Sequence, residues 1–474
     1  MKTKFIVLLL LTSLLIFNCD PPIEPVKLTI GDKKDLAALL PAALAGQSLN
    51  WTSSAPEIVS VTDQGVVTAL AYTEKGIDWF RDGPATGTAV ITVRTADGKN
   101  EIKVTVIATT EAQTDILALP PLKDQFAEHF KLFGNIFNPV DVTGRGESAA
   151  INNERLTRHF NILTPENHMK PSSLTSRRGA YSFDTADNMV NAAAAAGIKI
   201  HGHALLWHSQ IPQWHRSMAQ ESRETALAAM KEYLTDVVGH FAGKIYSWDI
   251  LNEVFPDGSS ASGDWKTSMR STGDSQGPNP WFVAIGSDFV YEAYLAARLA
   301  DPNAVLYYND YNTDQVGKAT MIRDMVRDVN ARYKQAYPSQ TRLLIEGIGM
   351  QEHHNTGVAA FAIENTINLF RPLGVKISVA ELDILGQGWG QFSPVGSGTG
   401  KTASSTVLNS GLIEQAMKYN EYMKVYIKNA DIIERVSLWG VTDNRSWRSA
   451  GLPLLFDVHG KAKPAYYYFI KALE

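Results

Sequence analysis

From residue 115 to the C-terminus the chain repeats one pattern eight times, a short apolar run followed by a longer stretch with apolar residues at helical spacing. The short runs are Leu132–Phe137, Phe160–Thr164, Ile198–Trp207, Ile245–Leu251, Val305–Asn309, Leu343–Met350, Val375–Ile384 and Val436–Val441. Helical periodicity fills Ala186–Ala196, Glu221–Phe241, Ser287–Leu299, Lys318–Tyr337, Ala359–Phe370 and Leu412–Lys428. Strands alternating with helices predict an α/β fold, and eight repeats predict a (β/α)8 TIM barrel over residues 115–474. Such a barrel builds its active site at the C-terminal ends of its strands. Two Gly/Ser-rich stretches, Gly258–Pro280 and Gly386–Ser410, follow strands and are expected as long loops on that face.

Residues 26–110 follow a different period. Runs such as Ile58-Val59-Ser60-Val61, Gly65-Val66-Val67-Thr68, Thr88 to Val93 and Ile102 to Val106 alternate in twos, and Asp97-Gly98 between the last two is a hairpin signal. This predicts a small all-β sandwich preceding the barrel. The stretch from Trp51-Thr52-Ser53-Ser54 through Gly65-Val66-Val67-Thr68-Ala69 resembles the bacterial immunoglobulin-like group 2 domains of surface proteins. That resemblance implies a spacer. Trp79-Phe80, in the loop Tyr72–Gly87, is an aromatic patch expected in packing rather than ligand contact.

At the N-terminus, Lys2 and Lys4 precede the apolar run from Phe5 to Phe17, and Cys19 follows at once. The run is too short to span a bilayer and reads as an export signal over residues 1–19. Cys19 is the only cysteine, so no disulfide can form within the chain. A lone cysteine at that place resembles the acylation site of bacterial lipoproteins, although Phe17-Asn18 stand where small residues are usual. The alternative is a soluble secreted protein that loses Cys19 with its signal. Residues 20–25, rich in proline and acid, read as a tether. The expectation is an exported monomer, lipid-anchored to the bacterial outer membrane at the cell surface or its periplasmic face.

A net charge of -5 without a Lys/Arg stripe leaves no electrostatic footprint for nucleic acid. Ten tryptophans and seventeen tyrosines point elsewhere, because flat aromatic rings suit the C–H faces of sugars. Polar and aromatic residues also gather where the strands should end. They include Glu166, Asn167 and Lys170 after the second strand, His201, His203, Trp207, His208 and Gln210 on the third, and Asp249, Asn252 and Glu253 on the fourth. Asn309, Asp310 and Tyr311 end the fifth, Gln351, Glu352 and His353 the sixth, Glu381 and Asp383 the seventh, and Trp439 to Trp447 the eighth. Carboxylates closing apolar strands are seldom buried without a purpose.

Two carboxylates on opposing strands suit the hydrolysis of a glycosidic bond, which needs an acid for the leaving oxygen and a second carboxylate for the anomeric carbon. Glu253 is expected to act as acid and then base, and Glu381 as nucleophile, with environments that push their pKa values apart. His353 is expected to orient Glu381, with Asp383 behind it. Asn252 and Gln351 are expected to donate to the sugar 2-OH or to the nucleophile. Asp249 is the weaker candidate, expected to hydrogen-bond to neighbouring backbone.

From about Leu122 onward, the strand-four Trp-Asp-x-x-Asn-Glu (Trp248 to Glu253) and the strand-seven Glu-Leu-Asp (Glu381 to Asp383) are closely similar to glycoside hydrolase family 10, retaining endo-β-1,4-xylanases. The resemblance implies that His203, Trp207, Asn252, Gln351, His353, Trp439 and Trp447 surround the sugar before the scissile bond. It implies that Glu166, Asn167 and Lys170 hold the next sugar on the non-reducing side, and that Tyr311 is a platform on the leaving-group side. Gln210 is counted with the sugar-binding residues. Xylan and xylo-oligosaccharides are the implied partners, since Trp439 and Trp447 would crowd the CH₂OH that glucose carries and xylose lacks. Ala380 and Pro171 depart from the Thr and Trp common at those places. No cofactor and no metal are expected. The rivals are a barrel metallohydrolase using His201, His203, His208, His353 and His354, a non-catalytic glycan-binding protein, and a retaining β-1,4-glucanase on the same barrel.

Overall fold

A computed structural model describes residues 23–29, 31–44, 46–56, 58–70, 86–109, 114–386 and 409–474. The expected export segment with Cys19, the pair Trp79-Phe80 and most of the Gly386–Ser410 stretch lie outside these residues. The chain forms two compact units, one built from described residues between 23 and 109 and the other from residue 114 onward.

The first unit is all β. Strands Val26–Thr29, Glu101–Thr109, Thr86–Thr95 and Leu49–Ser53 form one sheet in that order; Lys33–Asp35, Val66–Ala69 and Val59–Val61 form a second. Alternation sets the core: Val104, Val106 and Ala108 are buried on one face of their strand, and Val59, Val67 and Ala69 join the same cluster from the other sheet. The hairpin forms at Asp97-Gly98, where Gly98 takes φ 70°, a left-handed conformation that a β-carbon would disfavour. This is the sandwich the period-two pattern predicts.

The second unit is a closed barrel of eight parallel strands. They are β1 (Leu132–Phe137), β2 (Ile162–Pro165), β3 (Lys199–Gly202), β4 (Ser247–Asn252), β5 (Val305–Asp310), β6 (Gly347–Met350), β7 (Lys376–Leu385) and β8 (Ile433–Leu438). Each pairs with its neighbours in sequence, β8 pairs with β1, and β6 pairs directly with β7, which closes the ring. Helices including Arg223–His240, Asp288–Ala300, Val316–Ala336 and Asn409–Lys428 surround it. Their apolar faces, with Tyr233, Phe289, Met325 and Tyr422 fully buried, pack in one continuous core with the strands.

Three strands differ by three residues or more from the expected runs, and the sixth starts at Gly347 rather than Leu343. The third ends at Gly202, and after a cis His203–Ala204 peptide the chain rejoins β4 through Leu205 N to Asp249 O (3.0 Å) and Leu206 N to Ile250 O (3.0 Å). The eighth starts earlier, at Ile433, and so takes in Glu434 and Arg435, whose charges mask it in sequence. Both charges are buried and partnered. Glu434 accepts from Tyr246 and Tyr307 (2.8 and 3.0 Å) and pairs with Lys131 and Lys376, while Arg435 Nε donates to Ser378 (2.6 Å).

Candidate active site

The strand ends converge on two carboxylates. Glu253 follows β4 with φ 54°, a left-handed backbone that costs a non-glycine residue about 1–3 kcal/mol and persists only where its surroundings fix it. Its amide donates to Asn309 O at 2.9 Å. Its carboxylate receives Trp207 Nε1 at 2.9 Å on Oε2, and Gln351 Nε2 at 2.9 Å with Asn252 Nδ2 at 3.2 Å on Oε1. Burial pushes Glu253 above the usual carboxylate range; the nearby Asp310 and Glu381 charges push the same way, and the hydrogen bonds from Gln351 and Trp207 offset only part.

Glu381, within β7, is buried where Glu253 is half-buried, and it is differently paired. Asn309 Nδ2 donates to Oε1 at 2.8 Å and His353 Nε2 lies 3.1 Å from Oε2. Burial opposes its charge, but the His353 hydrogen bond, the His203 and His353 charges and the Asn309 hydrogen bond outweigh it, so Glu381 is held low. The other ring nitrogen of His353 lies 3.1 Å from Asp383, and Asp383 is in turn paired with the buried Arg448. Burial disfavours the charged ring of His353, yet Asp383 and Glu381 outweigh it and raise His353 to about 9. A chain of charges thus runs Glu381–His353–Asp383–Arg448, and its polarity keeps the carboxylate ionised.

The two carboxylates are also bridged. Asn309 Nδ2 donates to Asn252 Oδ1 (3.0 Å) as well as to Glu381, and Asn252 donates to Glu253. Asn309 carried no role in the sequence reading, since an asparagine closing a strand passes for a turn residue. Arg448 was missed too, because no local pattern links it to Asp383. Asp249 differs from expectation: its Oδ2 lies 2.8 Å from His203 Nδ1 and 2.9 Å from His201 Nε2, so its partners are side chains on β3 and the segment after it rather than neighbouring backbone. Burial lowers His201 to about 4, with Arg435 adding to the effect.

The expected sugar-binding residues fall into three groups. His203, Trp207, Gln351 and Trp439 stand around the carboxylates; His203 and His353 meet the Trp439 ring edge-on, at 5.5 and 6.2 Å. Trp447 meets His353 at 5.1 Å but is 61% exposed. In the second group, Lys170 Nζ donates to Asn167 Oδ1 (3.0 Å) and Gln210 Oε1 (2.8 Å) and sits 5.1 Å from the Trp207 ring, and Glu166 accepts from Asn138 (2.6 Å). Pro171 opens the short helix after Lys170 and is buried. Tyr311 forms the third group alone, held by Arg270 and Gln276 from the Gly258–Pro280 loop. Of the histidines weighed as metal ligands, His354 turns to Glu352 (3.1 Å), His201 and His203 to Asp249 and His353 to Glu381, while His208 stands edge-on to the Trp207 ring at 5.7 Å. Among the described residues no group of three His, Cys, Asp or Glu side chains is arranged around a common point.

The family model described as glycosyl hydrolase family 10 matches residues 121–472. Endo-1,4-beta-xylanase A of Thermotoga maritima is 32% identical over 395 residues, covering 77% of this chain and 32% of its own length. Exoglucanase XynX of Acetivibrio thermocellus is 32% identical over 384 residues, covering 78% and 31%. The endo-1,4-beta-xylanase of Geobacillus stearothermophilus is 30% identical over 362 residues and is covered over 98% of its length. The chain spans about a third of the length of the first curated relatives it matches. A crystal structure of a bacterial Ig-like domain containing GH10 xylanase from termite gut is 58% identical, with a TM-score of 0.75, and covers 95% of this chain and 98% of that one.

Proposed function

The chain belongs to glycosyl hydrolase family 10, and from that premise we propose that it is an endo-β-1,4-xylanase cutting internal bonds of xylan with retention of configuration. The observation that carries the reading is the opposed pairing of two bridged carboxylates. Glu253 is surrounded by neutral donors and held above the usual range, while Glu381 faces the cationic His353 and is held low. Glu381 attacks the anomeric carbon as Glu253 gives its proton to the departing glycosidic oxygen, leaving a glycosyl ester. That ester cancels the Glu381 charge, so Glu253 stays ionised until it takes a proton from the attacking water. Water's oxygen bonds to the anomeric carbon, and Glu381 leaves as carboxylate.

Xylan rather than glucan is supported by Trp439 and Trp447 flanking His353 beside the nucleophile, and by the Glu166, Asn167 and Lys170 group. The test is release of reducing ends from arabinoxylan and from carboxymethylcellulose, with Glu381→Ala as control. Release from xylan alone, abolished in the control, is expected. Equal or greater release from the glucan overturns the substrate and favours a glucanase; silence on both overturns the hydrolase.

The same reading includes export, acylation at Cys19 and a monomer whose immunoglobulin-like unit is a spacer between lipid and barrel. The signal-like run ending at Cys19 supports this. Labelled palmitate should enter the expressed protein and be absent from Cys19→Ala; an unlabelled protein with a mature N-terminus beyond Cys19 would favour secretion.

A further inference from the structure

The long loop Gly258–Pro280, after β4, carries one side chain into the catalytic neighbourhood. Arg270 is only 1% exposed, and its guanidinium has three partners. Nε donates to the main-chain oxygen of Glu253 (2.9 Å), one terminal nitrogen to Asp274 (2.9 Å) and the other to the Tyr311 hydroxyl (2.8 Å). Its own amide donates to Val254 O at 2.9 Å, so main chain and side chain grip the same turn. That turn is the one at which Glu253 is left-handed.

The rest of the loop is fixed to the helix Val316–Ala336. Ser259 O passes so close to Gly317 that a β-carbon there would lie 1.7 Å away, and Trp265 Nε1 donates to Asp328 (2.9 Å). Beneath Tyr311, Lys318 Nζ sits 3.7 Å from the ring centroid, pairs with Asp257 (2.9 Å) and lies 3.2 Å from Asp310. Tyr311 is therefore held by its hydroxyl and by one ring face, and Arg270 joins it to Glu253.

We propose that Arg270 is a positioning residue, setting the proton-donating carboxyl of Glu253 at a fixed offset from the Tyr311 platform on which the departing sugar rests. This deepens the hydrolase reading and rests on it. A guanidinium suits the task because its planar fork serves three acceptors at fixed angles, which an ammonium cannot do. Glu253 acts on leaving oxygens that need a proton, so Arg270 should matter in proportion to that need.

The test compares kcat/KM of Arg270→Ala and Arg270→Lys on three substrates: xylohexaose, phenyl β-xylobioside and 2,4-dinitrophenyl β-xylobioside. The first two leave as poor leaving groups and need the acid; the third departs unprotonated. Misplacing a catalytic group by an ångström costs on the order of 10²-fold, so Arg270→Ala should lose about that on the first two and under about threefold on the third. Arg270→Lys should fall between, and its substrate ratio decides the matter if the alanine variant does not fold. Equal loss on all three overturns the proposal, since that is what a merely structural arginine gives. Loss on xylohexaose with phenyl xylobioside spared also overturns it, leaving Arg270 a support for Tyr311 alone. Wild-type inactivity on every substrate would instead defeat the hydrolase reading itself.

Discussion

His353→Phe isolates the control of the nucleophile. Phenylalanine keeps a planar ring against Trp439 and Trp447, which His353 meets at 6.2 and 5.1 Å, and removes both nitrogens. Asp383 keeps its pairing with Arg448, so the variant does not strand that buried charge. Glu381 keeps Asn309 but loses the partner 3.1 Å from Oε2. A hydrogen bond to a charged group contributes about 1.5–3 kcal/mol, so the ionised nucleophile should lose about that much stabilisation and Glu381 should titrate higher than in the wild type. The sign follows from the chemistry. Glu381 attacks only when ionised, so raising its pKa moves the acid limb of the rate profile to higher pH. The assay is kcat/KM against pH on 2,4-dinitrophenyl β-xylobioside, whose leaving group removes the demand on Glu253. An acid limb that stays in place, or moves down, in a variant melting like wild type would refute control by His353.

Glu253→Gln keeps the shape and removes the proton, so kcat/KM on xylan should fall on the order of 10²–10⁴-fold while the dinitrophenyl substrate is spared, with azide restoring turnover; equal losses would argue against an acid. Asn309→Ala strips a donor from Glu381 and from Asn252 and should cost roughly 10- to 100-fold in kcat/KM, from about 1.5–3 kcal/mol for a bond to a charged group. An unchanged rate would demote it to packing. Arg448→Met takes one of two cationic partners from the buried Asp383, with His353 still beside it, and should destabilise the barrel by about 1.5–3 kcal/mol at neutral pH in denaturant melts. Burial opposes the Asp383 charge, but Arg448 and His353 outweigh it and depress its pKa in the folded chain. The contribution is therefore full above the unfolded carboxylate value and is lost as pH falls through the folded one, so the gap between the two proteins should narrow in acid. A gap that does not change with pH would place the cost elsewhere.

What could be read from sequence was what broke a burial rule. Glu253 closes one apolar run and Glu381 interrupts another, where an unpartnered carboxylate is too costly to be incidental, so the strand pattern drew attention to them. The barrel was legible for a related reason: its strands are buried on both faces and its helices on one, and the two periods differ. The start of β8 was not, because Glu434 and Arg435 interrupt the apolar run and their partners Lys131, Lys376 and Ser378 come from neighbouring strands and the residue before β1.

Asn309, Arg448 and Arg270 break no such rule. An asparagine after a strand, an arginine in an irregular segment and an arginine amid glycine and serine each have an ordinary local explanation. Their importance lies in contacts across 72, 65 and 17 residues of chain. The left-handed turn at Glu253 shows why such contacts are needed. Left to itself that conformation costs about 1–3 kcal/mol, and an extended backbone would carry the carboxyl away from Trp207 and Gln351. The Asn309 carbonyl accepts the amide on one side of the turn, and Arg270 donates to the carbonyl on the other. One comes from the neighbouring barrel strand and the other from the long loop after β4. A barrel strand can deliver a glutamate to the top of the sheet; fixing its carboxyl to within the tolerance that proton transfer demands takes atoms from elements that the strand pattern does not describe.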